Sequence, residues 1–272
     1  MVEQSSHVFI STDELQTLIN NGHPLCILDC TVLMAPGEDA VFTYGKEHIH
    51  GAKFLDLKLC RDLQNPFPFM MPNKDYFTMI AKSLDIRKSH TVVCYDSLTG
   101  ALNSAFANRG SFMLKAFGHP DVRILDGGLA KWKAEGKPVH GCKAVATPDD
   151  FSYELDASKV KSYEDIVEIS KNGSAQIVDN RPSPGFQGGN IPTSVNVPAP
   201  AMWNADGTLK SADDLKKAFD GAGVDLSKPM VFTCGGGIMA TVGYHAARIA
   251  GATGSTAVYD GSWNEYSVRS KQ

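Results

Sequence analysis

Short apolar runs alternate with stretches of helical period along almost the whole chain. Leu25-Cys26-Ile27-Leu28-Asp29, Thr91-Val92-Val93-Cys94-Tyr95-Asp96 and Val122-Arg123-Ile124-Leu125-Asp126 each read as a buried strand that ends on an acid. Between them lie amphipathic segments with start and stop signals. One opens at Ser11-Thr12-Asp13-Glu14 with a capping sequence and ends at Gly22. Another runs from Asp75 to Leu84 with Tyr76, Ile80 and Leu84 in register. Further helices are predicted from Ser104 to Phe117, stopping at Gly118, and from Leu129 to Glu135. His48-Ile49-His50-Gly51-Ala52 leads to a strand at Phe54-Leu55. The stretch up to about residue 47, with Ala35-Pro36-Gly37-Glu38-Asp39, reads as loop, and so do residues 61–73, broken by Pro66, Pro68 and Pro72.

The second half follows the same script. Gln176-Ile177-Val178-Asp179 answers Cys26-Ile27-Leu28-Asp29, and a helix opens before it at Tyr163-Glu164-Asp165. Asn190-Ile191-Pro192-Thr193-Ser194 answers the segment from His48 to Ala52. Val231-Phe232-Thr233-Cys234 answers Val93-Cys94-Tyr95-Asp96, and Val258-Tyr259-Asp260-Gly261 answers Ile124-Leu125-Asp126-Gly127. An internal repeat of this kind predicts two tandem α/β domains, each a mainly parallel sheet flanked by helices. The expected boundaries are 1–140 and 159–272, with residues 141–158 as a linker marked by Gly141 and Pro148.

Composition narrows the functional classes. The chain has 272 residues, 43% of them hydrophobic, so it can bury full cores. A net charge of −4 offers no basic face for nucleic acid, and no apolar run approaches a membrane span. The start, MVEQSSHVFIS, lacks the features of a signal or transit peptide. The six cysteines, at 26, 30, 60, 94, 142 and 234, form neither a CxxC pair nor a zinc-spaced cluster. Free thiols in a reducing compartment are therefore expected: the cytoplasm, with the mitochondrion as the alternative.

Candidate chemistry gathers at residues 230–251. The apolar run Met230-Val231-Phe232 stops at Cys234; Gly235, Gly236 and Gly237 follow, and Ala240 to Ile249 reads as a helix closed by Gly251. Glycines bring successive N–H groups close to whatever the cysteine carries, and the positive end of the helix dipole lies at the same spot. Such surroundings favour a thiolate or an anionic adduct. The alternative is an inert cysteine at a strand end. The glycine run and the immediate helix start favour a nucleophile at Cys234, with Gly235, Gly236, Gly237, Ile238, Met239 and Ala240 as its loop. At the equivalent place the first half carries Asp96. A cysteine-based phosphatase loop would need an arginine at position 240, where Ala240 stands, and no phosphate-binding loop pattern is present.

Taken together, CILDC, QIVDN, HIHGA, AFGHPDVRILDGGLAKW, VDLSKP, CGGGIMA and YDGSW resemble the rhodanese superfamily, specifically its tandem-domain sulfurtransferases for thiosulfate and 3-mercaptopyruvate. The resemblance spans nearly the whole chain. It implies an inactive first domain, an active second one and a Cys234 persulfide. That persulfide would take sulfur from a small donor and pass it to cyanide or to a thiol such as thioredoxin or glutathione, without metal or organic cofactor. This sequence also departs from the family pattern. Thiosulfate enzymes carry an Arg-Lys pair where Gly235 and Gly236 stand, and mercaptopyruvate enzymes read Cys-Gly-Ser-Gly-Val-Thr, so Gly236 and Met239 replace loop hydroxyls. The family's substrate-clamping arginine falls at Gly185, and its acid and histidine from the first domain fall at Lys58 and Phe69. Arg181 and Lys58 are the remaining candidates for holding an anionic donor, with an Arg181 bridge to Asp179 or Asp260 as the alternative. Trp203 and Trp263 are expected to be core or interface aromatics, and His245 a helix-face histidine. A persulfide carrier served by a protein donor and a non-enzymatic scaffold are the competing functions.

Overall fold

The computed structural model describes residues 8–140 and 152–271. The first half consists of β1 (Phe9–Ile10), α1 (Thr12–Asn20), β2 (Leu25–Asp29), α2 (Ala40–Lys46), β3 (His48–Ile49), β4 (Lys53–Phe54), α3 (Lys74–Ser83), β5 (Thr91–Tyr95), α4 (Ala105–Ala116), β6 (Val122–Leu125), α5 (Gly128–Ala134) and β7 (Val139–His140). The second comprises β8 (Val160–Lys161), α6 (Tyr163–Asn172), β9 (Gln176–Asp179), α7 (Ser183–Gln187), β10 (Val195–Asn196), α8 (Ala212–Gly221), β11 (Met230–Thr233), α9 (Met239–Ile249), β12 (Thr256–Tyr259) and α10 (Ser262–Arg269).

The first sheet runs β1-β6-β5-β2-β4 and the second β8-β12-β11-β9-β10, all parallel. The two halves thus share one strand order, as the repeat predicts. Helices cover both faces of each sheet, which is why the central strands are apolar on both sides. The expected linker, 141–158, lies outside the described residues up to position 151. Its end is packed on the first half: Tyr153 is buried with its hydroxyl donating to Ile86 at 3.1 Å, and the Asp156 N–H donates to the Ala116 carbonyl at 2.7 Å.

Local chemistry explains most element starts. Ser11 and Glu14 close a capping box on α1, and Ser162 and Asp165 do the same on α6. One expectation fails. The supposed loop up to residue 47 contains α2, started by the Asp39 carboxylate, which accepts the N–H groups of Val41 at 2.9 Å and Phe42 at 3.2 Å. None of the α2 residues is buried, so this helix leaves no apolar stripe to read.

The halves are joined through their cores. α4 and α9 pack against each other, and a single apolar cluster extends from Cys94, Phe106 and Phe112 to Phe232, Cys234 and Tyr244. Phe112 meets Tyr244 edge-on at 5.0 Å, and Phe9 meets Trp203 at 6.3 Å, which makes Trp203 an interface aromatic. Polar ties follow the same pseudo-symmetry. The Met71 N–H donates to the Asp260 carboxylate, and the Leu209 N–H donates to Asp126 Oδ1 at 2.8 Å. One tie has no counterpart among the described residues: Arg109, from the middle of α4, reaches Asp260 at 2.7 Å, with both side chains buried.

A buried pair stripped of one member leaves an uncompensated charge. Arg109→Leu is expected to lower the unfolding free energy by about 3 kcal/mol, read as a fall in the urea midpoint. An unchanged midpoint would show that the two halves do not depend on the pair.

Candidate active site

Parallel sheets collect their loops at the carboxyl ends of the strands, where such folds place ligands. β11 delivers Cys234 there, one residue past its last hydrogen-bonded position, and β5 delivers Asp96 in the same way. Cys234 is buried, at 2% exposure, while its loop neighbours Gly235, Gly236 and Met239 are partly exposed and form the mouth.

The start of α10 holds the loop from below. The Cys234 N–H donates to Ser262 Oγ at 3.1 Å, and that hydroxyl donates to the Tyr259 carbonyl at 2.9 Å. The Cys234 and Gly235 carbonyls accept the N–H groups of Trp263 at 3.0 Å and Asn264 at 2.9 Å. The carbonyls are therefore occupied. From Gly235 to Ala240, by contrast, no backbone N–H finds an acceptor among the described residues. These amides lead into the first turn of α9, so unpaired donors and the positive helix end directly follow Cys234 in the chain.

The first half shows the same arrangement already filled. Asp96 accepts from Phe106 at 3.0 Å and Ala107 at 2.9 Å, both in the first turn of α4, and from Leu98 at 3.1 Å. Burial outweighs these bonds and pushes the Asp96 carboxyl up to about 7. Where the first half binds its own side chain, the second leaves the amides without a partner among the described residues.

Gly237 is required by its position. Its φ is +77°, and a Cβ would lie 2.6 Å from the Asp260 carbonyl oxygen. Gly235 has open space at the same point, and a Cβ on Gly236 would meet Asn264 Nδ2 at 3.1 Å and Pro68 Cγ at 3.6 Å. Pro68 shows that the proline-rich segment of the first half walls the loop. Arg109 connects the two, donating to the Gly237 carbonyl at 3.2 Å and to the carbonyl of Phe69. Phe69 thus contributes its backbone, not its side chain, to this contact.

The two candidate donor-binding cations are engaged elsewhere. Arg181 is held by Asp179 at 2.6 Å, donates to the Gly189 carbonyl at 2.8 Å and stands over the Trp263 ring. Its bridge is to Asp179, since Asp260 belongs to Arg109. The exposed Lys58 donates to the Leu33 carbonyl at 2.7 Å. His245 is buried between α4 and α9 against Asn108 Oδ1 at 3.0 Å, and burial pushes its ring down to about 3, so it stays neutral. Ala240 is fully buried.

Arg109 and Ser262 are absent from the sequence-derived candidates. Ser262 gave no signal beyond its place in YDGSW. Arg109 had one: it is the only cation before Lys115 in the otherwise apolar and small-residue run AFANRGSFML. The described cysteines are all free and buried. Burial pushes Cys26 and Cys60 up to about 12, and Cys30 well above the usual thiol range, so these three are inert packing residues.

Comparison with known proteins bears on this arrangement. Residues 11–135 and 162–269 both match the rhodanese-like domain family. Mouse 3-mercaptopyruvate sulfurtransferase is 37% identical over 263 residues, covering 92% of this chain and 88% of the relative. Chicken thiosulfate sulfurtransferase is 34% identical over 254 residues, covering 90% and 87%. The crystal structure of SseA from Escherichia coli, described for the rhodanese fold and catalytic mechanism of 3-mercaptopyruvate sulfotransferases, superposes with a TM-score of 0.84 at 31% identity. It covers 95% of this chain and 99% of that one.

Two measurements test the geometry. Gly237→Ala is expected to cost about 2 kcal/mol of stability through its left-handed backbone and to suppress sulfur transfer, whereas Gly235→Ala leaves stability nearly unchanged. Equal melting temperatures for the two variants would contradict the loop described. The Asp96 carboxyl titrates at about 7 in the folded chain, far above its usual value near 3.8. Its contribution to stability is then present below about pH 4 and lost as pH rises through 7. Asp96→Asn should remove that part of the slope of urea midpoint against pH; an unaltered slope would mean the carboxyl is not raised.

Proposed function

The chain belongs to the rhodanese family of sulfurtransferases, and we propose that it moves a sulfane sulfur from 3-mercaptopyruvate or thiosulfate to a thiol acceptor through a persulfide on Cys234. The observation that carries this reading is the run of unpaired amides from Gly235 to Ala240 beside a cysteine at a helix start. The Cys234 thiolate attacks the donor sulfur. With 3-mercaptopyruvate the C–S bond breaks and the thiol proton ends on the carbon of pyruvate; with thiosulfate the S–S bond breaks and sulfite leaves. The outer sulfur then carries the negative charge, and the unpaired N–H groups are donors suited to it. An acceptor thiolate takes that sulfur and returns Cys234 to its starting state.

Of the two donors, the site favours 3-mercaptopyruvate. Thiosulfate brings two negative charges, yet Arg109 and Arg181 are both committed to aspartates, and the positions following the cysteine are glycine. A monoanionic carboxylate asks less of a loop whose donors are neutral amides. We assign the acceptor to the thiol class, with thioredoxin and glutathione as the candidates, and the compartment to the cytosol, on the unpaired state of the described cysteines. Among the described residues no helix is long and apolar enough to cross a membrane.

The test is the intact mass of wild type and Cys234→Ala after incubation with each donor. Wild type should gain one sulfur, faster from 3-mercaptopyruvate than from thiosulfate, and Cys234→Ala none. A wild type that gains no sulfur from either donor would overturn the reading.

A further inference from the structure

At the far end of α4 and α9 from Cys234, a cavity of about 280 Å³ opens between the two halves. Its lining is cationic. Lys115 and Arg123 come from the first half and Lys159 and Arg248 from the second; Asp121 lines the cavity with them, and the Asp156 carboxylate lies beside Lys159. In a chain whose net charge is −4, this grouping is not a sample of the average surface.

Each cation also has a local role. Lys115 donates to the Pro120 carbonyl at 2.9 Å, Arg123 grips Asp121 at 2.8 Å, Lys159 lies 3.4 Å from Asp156, and Arg248 stands 5.7 Å over the Tyr244 ring. Part of their positive charge offsets the negative ends of α4 and α9, which finish nearby. One observation is left over. Ser111 lines the same cavity with only 1% of its surface exposed, and its Oγ is buried with no hydrogen-bond partner. A buried hydroxyl is ordinarily satisfied, so an orphan oxygen in a wall shared with four cations points to a ligand with acceptor oxygens.

We propose that this cavity is a binding site for a small dianion carrying a phosphate-type group, received by Ser111, Lys115, Arg123, Lys159 and Arg248. The ligand bridges the two halves, because each contributes two of the cations. His245 in the wall is kept neutral by burial first, with Arg248 and Lys115 adding to the effect. The volume exceeds that of a bare phosphate ion and leaves room for a short organic tail. The site is separate from the Cys234 loop and makes no use of the sulfur chemistry.

The experiment is isothermal titration of the full chain at low ionic strength with inorganic phosphate and with glycerol phosphate, against sodium chloride of equal ionic strength. The wild type should bind at least one of the two phosphates and not chloride. Ser111→Ala and the double variant Lys159→Gln/Arg248→Gln should weaken that binding about ten-fold or more, the loss expected for removing charge-assisted hydrogen bonds. Thermal melts check that each variant is folded; Ser111→Ala, a single-atom deletion, serves if the double variant is not. Which phosphate binds more tightly separates free phosphate from a phosphate ester as the source. Absence of binding to the wild type, binding matched by chloride, or binding undiminished in the folded variants would each overturn the proposal.

Discussion

The buried contact of Arg109 with Asp260 is the constraint around which this molecule is arranged. It crosses from one half to the other beneath the cysteine loop, and the same guanidinium touches the carbonyls of Phe69 and Gly237. Asp260 in turn receives the Met71 N–H and crowds Gly237 so closely that only glycine fits. One charged pair therefore sets three things together: the docking of the halves, the position of the proline-rich wall and the curl of the loop. Isolated in an apolar interface such a pair is costly. Here the arginine also donates to two backbone carbonyls, the kind of added hydrogen bond that lets a buried pair hold position.

The duplicated fold sets two equivalent positions side by side and fills them differently. Both present a strand end, a turn and a helix N-terminus, and both direct amides to one point. In the first half the Asp96 carboxyl fills that point permanently. In the second, Cys234 stands there, and the amides after it have no partner among the described residues. The first half also shapes the surroundings of Cys234. It supplies Arg109, the Pro68 wall and, through α4, half of the apolar face on which α9 rests.

Gly235 and Gly236 directly follow the cysteine, and Arg109 and Arg181 are both paired with aspartates, so the loop offers neutral dipoles rather than fixed cations. Cations in quantity occur at the other end of the α4–α9 interface, far from the sulfur chemistry. The electrostatic character of the protein is thus divided along one pair of helices, amides at their starts and cations at their ends.

The sequence by itself determined whatever rests on local pattern. Strands buried on both faces must be apolar throughout, so CILDC, TVVCYD and QIVD were legible, and the repeat made the two-domain α/β fold legible with them. Cys234 stood out because glycine flexibility and a helix start are short-range signals. The α2 helix was not legible, since it buries nothing and its only cue is one aspartate cap. For Arg181 the sequence narrowed the partner to Asp179 or Asp260 without deciding between them, and for Arg109 it named none. Arg181 closes on Asp179 two residues away, while Arg109 crosses to a residue in the other half. That choice belongs to tertiary structure, because it depends on how α4 and α9 pack, and ion pairing is decided by distance in space rather than along the chain.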